Sequence, residues 1–549
     1  MKKMPSIPGW IWLIVILSLG LFLRLAGIWR TEPIDYHPDE WVVARPVMSL
    51  ANEGQVGLKN HYKWPACSVI YILGYSLYGL KGWFGPYSYN SILIIQRVIS
   101  GLAGTAAVFL SFLLMRKIFS EQTAIFSAAL LSVAKAPVLQ GHYGTITSIV
   151  SLVILAVMLL SCDLFDVEPG RKCALKTGRC CLLGLIYGLG VAAKWTILFA
   201  VIPVSGAFLL SVWYNRKLHR WGEFIKINIQ RICLIAGIGV LSFLAGLPDV
   251  YFNPEKVFSG LKFEVVHHQT GHYGALTAEE KQLSYRIPKR IETMKDAGSV
   301  YLFIPGLLAI VYCLVEPSRW RIFLVWTISI WLAMLCKNKL AGERHHLVPF
   351  ILMILILSVG LEAMVCSHRK YLRFGGFALF LFLFVMELIY CCIWISPFWR
   401  PDARVECGNW IKANVPSGSG VAWAPRTPVW GAPGGVVEPS LFEVYPRNAE
   451  TGKEQYIIAA RSRLNIFKKH PPYKKIVPSE WFPSEPPTMA ELKLYAEMNK
   501  GGGPNLTLVK EFSTKPSFLG LDLRLFGLDP NEDTTFANRS VSLFRLNTP

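Results

Sequence analysis

Three carboxylates and an imidazole fall within six positions in Asp35-Tyr36-His37-Pro38-Asp39-Glu40, directly after the first apolar run of the chain. Acidic residues beside a membrane are most often simply solvated. An Asp-x-x-x-Asp-Glu group held in shape by a His and a Pro, however, has the make-up of a general base. Transfer of an electrophilic group onto a hydroxyl needs a base to take the acceptor proton as the new bond forms, and a carboxylate can serve. By residue type, Asp39, Glu40 and Asp35 are all open for that role.

A second polar group lies further along, at Glu264, His267, His268 and His272. Glu264 and His268 are four apart and would share one face of a helix. A divalent metal would be tolerated there. No His-x-x-x-His ladder or second Glu-x-x-His pair supports one, so no metal ligand is assigned and no cofactor is required. Substrate contact is the stronger of the two expectations for this loop.

These groups must be positioned by a membrane bundle. Of the 549 residues, 53% are hydrophobic and only 17% charged, too little charge to cover a soluble surface of that size. The net charge of +20 could suggest nucleic acid, but much of it falls in short loops between apolar runs, where orientation charges sit. Nucleic acid is therefore not expected as a partner. The twelve cysteines lie mostly in or beside apolar runs, with Cys407 alone in the tail, so no tail disulfide is expected. Candidate spans are 9–28, 98–115, 121–139, 145–163, 181–194, 196–213, 232–248, 299–315, 320–336, 347–365 and 374–395. The first is too long for a signal peptide and reads as an uncleaved span.

The apolar segment 65–80 decides the topology. If it does not cross, Arg116-Lys117, the Arg171–Arg179 loop, Arg216-Lys217, Arg319/Arg321 and Arg369-Lys370 all face the cytoplasm, as the positive-inside rule asks. Segment 65–80 then reads as interfacial or re-entrant, leaving about eleven spans with the N-terminus inside and the C-terminus outside. Loop 29–64, the turn Gly141-His142-Tyr143-Gly144, loop 249–297 and turn 337–346 would share the outer face. Arg24 and Arg97, near span ends, are expected to snorkel.

The division expected is a membrane domain over 1–396 and a soluble α/β domain over 397–549, where Gly, Pro and charge rise. In that tail, 404–414 and 489–499 read as helices, and 421–423, 456–460, 506–512 and 541–546 as strands. The triplets at Asn505 and Asn538 fit the glycosylation sequon but arise often by chance.

His37-Pro38-Asp39-Glu40 after a first span resembles the first-loop acidic motif of GT-C class membrane glycosyltransferases, most closely the protein mannosyltransferase and aminoarabinose transferase family. Gln96-Arg97, His142-Tyr143, Ala193-Lys194-Trp195, the run from Phe263-Glu264 to His272-Tyr273-Gly274, Glu343-Arg344-His345-His346 and Asp402-Ala403-Arg404 are similar to other segments of that family, in the same order. The resemblance implies a GT-C-like bundle that moves a hexose or pentose from a polyprenyl- or dolichyl-phosphate carrier to a glycan, lipid or protein acceptor, with inversion. Asp39 would be the base and Glu40 its neighbour, orienting it or holding the acceptor.

Cations on the outer face would steady the lipid-phosphate leaving group. Lys194, Arg344 and His345 are the candidates, with His142, His268 and His272 as further contacts to the donor. Lys194 could equally snorkel at a helix end. The family often carries an Asp soon after His142-Tyr143, whereas this chain has Gly144-Thr145-Ile146-Thr147-Ser148, which brings no charge. The expected setting is a multi-pass protein of a bacterial inner membrane with its active face outward, or of the endoplasmic reticulum. The rival reading, a transporter or flippase, predicts mid-span charges, paired helix breaks and an internal repeat. No repeat is visible, and the charges read as gathered at span ends.

Overall fold

The computed structural model describes residues 9–29, 36–37, 39–54, 68–165, 176–215, 221–270, 282–338, 343–423, 453–460, 489–526, 528 and 540–547. Asp35, Pro38, Lys339, His272, Asn538 and most of the 171–179 loop lie outside these residues. His267 and His268 are described only as backbone positions.

Among the described residues the membrane part is built of helices: α1 (Gly9–Leu25), α2 (Glu40–Glu53), α3 (Ser68–Phe84), α4 (Tyr89–Ile118), α5 (Glu121–Val133), α6 (Lys135–His142), α7 (Thr147–Phe165), α8 (Thr177–Ala193), α9 (Val201–Asn215), α10 (Trp221–Gly246), α11 (Asp249–Phe252), α12 (Pro254–Thr270), α13 (Leu283–Ala297), α14 (Val300–Val315), α15 (Arg319–Lys337), α16 (Leu347–Val365) and α17 (Lys370–Ile395). Among the described residues, seven helical segments are long and apolar enough to cross a bilayer, or nine if each of two bent pairs is one span. Two more apolar helices, α1 and α8, have 17 residues each. The chain is thus a polytopic helical bundle. α16 is apolar on every side and buried from Leu347 through Val359, which makes it the centre about which the others pack.

The expected straight span over 121–139 is broken. α5 ends at Val133 and α6 leaves at 54° to it. Pro137 is the cause: it has no N–H for the carbonyl of Val133, and its ring clashes there. Charges also enter spans, contrary to the expectation that they gather at the ends. Arg24, Lys135 and Glu387 are all buried within the bundle. The second bent pair, α13 and α14, turns by 117°.

The described part of segment 65–80 lies in α3, which packs on α2 through Ile70 and Leu77. Gly74 is required there, because a Cβ would stand 2.5 Å from Leu50.

The tail begins with a 3-10 turn over Ser396–Trp399, then α18 (Ala403–Asn414). It continues with β1 (Gly420–Trp423), β2 (Gln455–Ala460), α19 (Met489–Lys500), β3 (Gly502–Gly503), β4 (Leu506–Phe512), β5 (Ser517–Phe518), β6 (Leu521–Asp522) and β7 (Val541–Leu546). Five strands form one sheet in the order β1-β2-β7-β4-β3, with β1 and β2 parallel and the other pairs antiparallel. Alternation along β2 explains the two covers. Tyr456 and Ile458 face α18 through Cys407 and Ile411, whereas Ile457 and Ala459 face Met498 of α19. Asp402 caps α18 by accepting from the Arg404 amide at 2.9 Å. The helices and strands expected in this unit are all present. It is docked on the bundle: Phe526 lies 4.4 Å from the Tyr390 ring of α17, and the Ser517 amide donates to Ser396 Oγ at 3.0 Å.

Candidate active site at one end of the bundle

Asp39 is the residue just before α2, and Glu40 opens the helix. The two neighbours have opposite surroundings. Glu40 is fully buried. Its carboxylate accepts from Arg97 Nε at 3.0 Å and Nη2 at 2.8 Å, from the Tyr36 and His37 amides at 2.6 and 3.4 Å, and from the Gly144 amide at 2.5 Å. A side-on Arg–carboxylate pair of this kind is strong and geometrically fixed. Arg97 is likewise fully buried near the start of α4, and its guanidinium lies 3.6 Å from the centre of the Tyr36 ring. Glu40 is therefore an anchor that ties the first loop to α4 and to the turn before α7. With five donors on its two oxygens, it is not presented to an acceptor.

Asp39 is 34% exposed and is bonded to Arg344 through Oδ2. His37 supports it from below, with Nδ1 3.0 Å from the Asp39 amide and 3.9 Å from its carboxylate. Arg344 and the half-buried His345 sit on a 3-10 turn over Glu343–His346 that runs into α16. Three segments far apart in sequence thus meet at this adjacent pair of carboxylates: the first loop carries them, the 143–144 turn bonds Glu40 and the turn before α16 bonds Asp39.

The floor is aromatic. Phe398 stacks on His142 with ring centres 4.4 Å apart, and meets Tyr36 edge-on at 4.9 Å. Gly27 permits this approach, because its φ is +83° and a Cβ would stand 2.4 Å from the Phe398 carbonyl oxygen. His142 is fully buried, with Nδ1 3.1 Å from the Val138 carbonyl and Nε2 3.0 Å from that of Ala26. Both ring nitrogens are engaged by backbone, so the imidazole supports the floor and is not turned toward a ligand. The turn after it contributes a backbone donor, the Gly144 amide.

Lys194 belongs to a second group. It caps the C-terminal end of α8, half-buried, and its charge acts on Glu264 of α12. Burial pushes the Glu264 carboxyl up to about 7, against the opposing pull of Lys194. Nearby on the chain, Asp249 accepts from Tyr71 Oη at 2.7 Å, linking α11 to α3. His268 lies one helical turn after Glu264 on α12, as the spacing requires. Among the described residues, no cluster of His, Cys, Asp and Glu could hold a metal ion.

Arg97 and Arg24 do not snorkel: both are fully buried and bonded. The available signal was an arginine inside an apolar run, which demands a partner.

A family model described as dolichyl-phosphate-mannose-protein mannosyltransferase matches residues 73–247. That stretch holds Arg97, Gly144 and Lys194 but neither Asp39 nor Arg344. Among curated proteins, no sequence matches the chain. The crystal structure of ArnT from Cupriavidus metallidurans bound to undecaprenyl phosphate is similar with a TM-score of 0.50 at 12% identity, covering 87% of this chain and 97% of that one. The apo oligosaccharyltransferase of Archaeoglobus fulgidus aligns over 98% of this chain and 88% of its own, at 11% identity and a TM-score of 0.49. The chain has a GT-C-like fold, related to that of ArnT.

Proposed function

We propose that this GT-C-like protein is a membrane glycosyltransferase that takes a hexose or pentose from a polyprenyl- or dolichyl-phosphate donor and passes it, with inversion, to an acceptor on the non-cytoplasmic side. One observation carries the reading: an accessible carboxylate, Asp39, beside a cation, Arg344, at one end of a membrane bundle, on a loop anchored by a buried ion pair. Asp39 takes the acceptor proton while the acceptor oxygen bonds to the anomeric carbon, and the bond from that carbon to the phosphate oxygen breaks. The phosphate leaves with its electron pair toward Arg344, which passes from Asp39 to the leaving group. His345, Lys194, His268 and His272 remain candidates for holding the donor. The acceptor is a glycan, lipid or protein.

The topology we propose has eleven spans, N-terminus in and C-terminus out, with membrane and soluble domains dividing at 396/397. The count takes the seven long helices, each of the two bent pairs as one span, and the 17-residue α1 and α8 as further spans. The charges agree with it. Arg97 and Lys117 stand twenty residues apart on α4, about 30 Å, which matches the hydrocarbon core. At the Lys117 end, Lys117 Nζ lies 2.8 Å from Asp163, Arg179 pairs with the same carboxylate, and Lys176 Nζ donates to the Asp163 carbonyl at 2.6 Å. The basic end and the Asp39 end are thus opposite ends of one bundle. Reporter fusions in the 171–179 loop are expected in the cytoplasm and fusions after Pro397 outside; the reverse placement overturns the shared outer face.

The function is tested by sugar release from labelled polyprenyl-phosphate sugars by the purified chain. Arg344→Ala is expected to weaken donor binding by about ten- to a hundredfold, the worth of one charge-assisted hydrogen bond, with a smaller effect on acceptor dependence. An unchanged donor affinity removes Arg344 from the phosphate site. The α5–α6 break, with its buried charges, is the feature a transporter would share. Arg24 and Glu387 both bond to backbone groups there, which favours the enzyme reading.

A further inference from the structure

A spanning helix that breaks at membrane depth frees backbone carbonyls on one side and N–H groups on the other, and no water is at hand to take them. At the α5–α6 break, charge meets both halves. Arg24 of α1, fully buried, donates through Nη1 to the carbonyls of Gly20 at 2.9 Å and Ser132 at 3.1 Å, and through Nη2 to that of Leu131 at 3.2 Å. Leu131 and Ser132 belong to the last turn of α5. Glu387 of α17, also fully buried, accepts from the amide of Lys135, the first residue of α6, at 3.1 Å. Its other oxygen accepts from the amide of Ser299, just before α14, at 3.2 Å. The cation thus lies at a helix C-terminus and the anion at two helix N-termini, each where the helix dipole favours it.

From this clamp α6 runs eight residues to the site. Ser100 Oγ of α4 holds its Gln140 carbonyl at 3.0 Å. His142 ends it, and two residues later the Gly144 amide donates to Glu40. The direction of α6 at the break therefore sets where that amide arrives.

We propose that Arg24 and Glu387 are positioning residues for the Asp39 site. From the two sides of the break they aim α6, and so place the Gly144 amide that fixes Glu40 and, with it, the loop bearing Asp39. The kinetic consequence rests on the reading of Asp39 as the base; the structural consequence does not.

Glu387→Gln keeps the shape but turns an amide NH2 toward one of the two N–H donors. In the purified full chain, hydrogen exchange is read over 36–44 and 135–147, beside kcat and the donor KM. Exchange in both segments is expected to rise about tenfold, the effect of one lost hydrogen bond, while the core of α16 stays protected. kcat is expected to fall about ten- to a hundredfold with the donor KM within about twofold, as for a misplaced catalytic group. Arg24→Lys keeps the charge but loses one donor arm, and should give the same pattern more weakly; it carries the test if Glu387→Gln does not accumulate as monodisperse protein. Unchanged exchange over 36–44 in the folded variants overturns the positioning role. Raised exchange with unchanged kcat overturns the link to the site. Asp39→Asn, run in parallel, separates the two readings: parental turnover in that variant removes Asp39 as base, and the exchange data still decide whether the clamp positions the loop.

Discussion

Asp39→Asn is expected to lower kcat for sugar transfer by about 10²–10⁴-fold, the usual contribution of a positioned general base. The substitution is nearly isosteric, and Asp39 is a third exposed, so little folding cost should accompany it. The amide can still accept a hydrogen bond from Arg344 but cannot take a proton from an acceptor hydroxyl. Donor binding should therefore survive, or strengthen slightly as Arg344 is released toward the phosphate. Turnover and equilibrium donor binding, measured on the same preparation, separate chemistry from binding. Turnover at the parental rate would move the base to another group. Glu40 is a poor replacement because its oxygens already accept five donors. Asp35, a few residues upstream, would then become the first carboxylate to test.

The second large effect is expected on stability rather than chemistry. Glu40→Ala leaves Arg97 charged and fully buried without its carboxylate, a change that costs about 3–5 kcal/mol for a broken buried pair. It also strips acceptors from the Tyr36, His37 and Gly144 amides. Thermal unfolding in detergent should show a lowered midpoint together with lost activity. Removing both partners, as Glu40→Ala with Arg97→Ala, should recover part of the stability, because no unpaired charge remains. Arg97→Lys should not rescue, since an ammonium cannot make the two-point contact or lie flat on Tyr36. An unaltered unfolding midpoint with abolished turnover in Glu40→Ala would overturn the anchor role and make Glu40 a participant in the reaction.

Asp39 and Glu40 are adjacent in sequence and chemically alike, and the structure gives them separate surroundings. One carboxylate is a third exposed beside a cation; the other is fully buried against Arg97 and three backbone amides. The tail takes part through Phe398, which closes the floor under Tyr36 and His142. The strand-containing tail is thus tied to the loop after α1, and its loss should disturb the Asp39 loop as well.

Elements whose signals are local are legible in the sequence. Long apolar runs dictate spanning helices because lipid leaves backbone groups no other partner. Short apolar runs and a glycine stop placed β2, β4, β7 and α19 in the tail, since strand propensity and chain reversal act over a few residues. The acidic motif at 35–40 marked the candidate site, because charge beside an apolar run is costly without a purpose. The tertiary structure decided what depends on distance across the fold. Glu40 and Arg97 are 57 positions apart, and Asp39 and Arg344 are 305 apart. Nothing local in sequence says which carboxylate an arginine will meet. For the same reason Arg24 and Arg97 read from sequence as snorkelling side chains, although both are buried against distant partners. The Gly144 amide carried no signal at all, because every residue has a backbone N–H and only packing decides where it points.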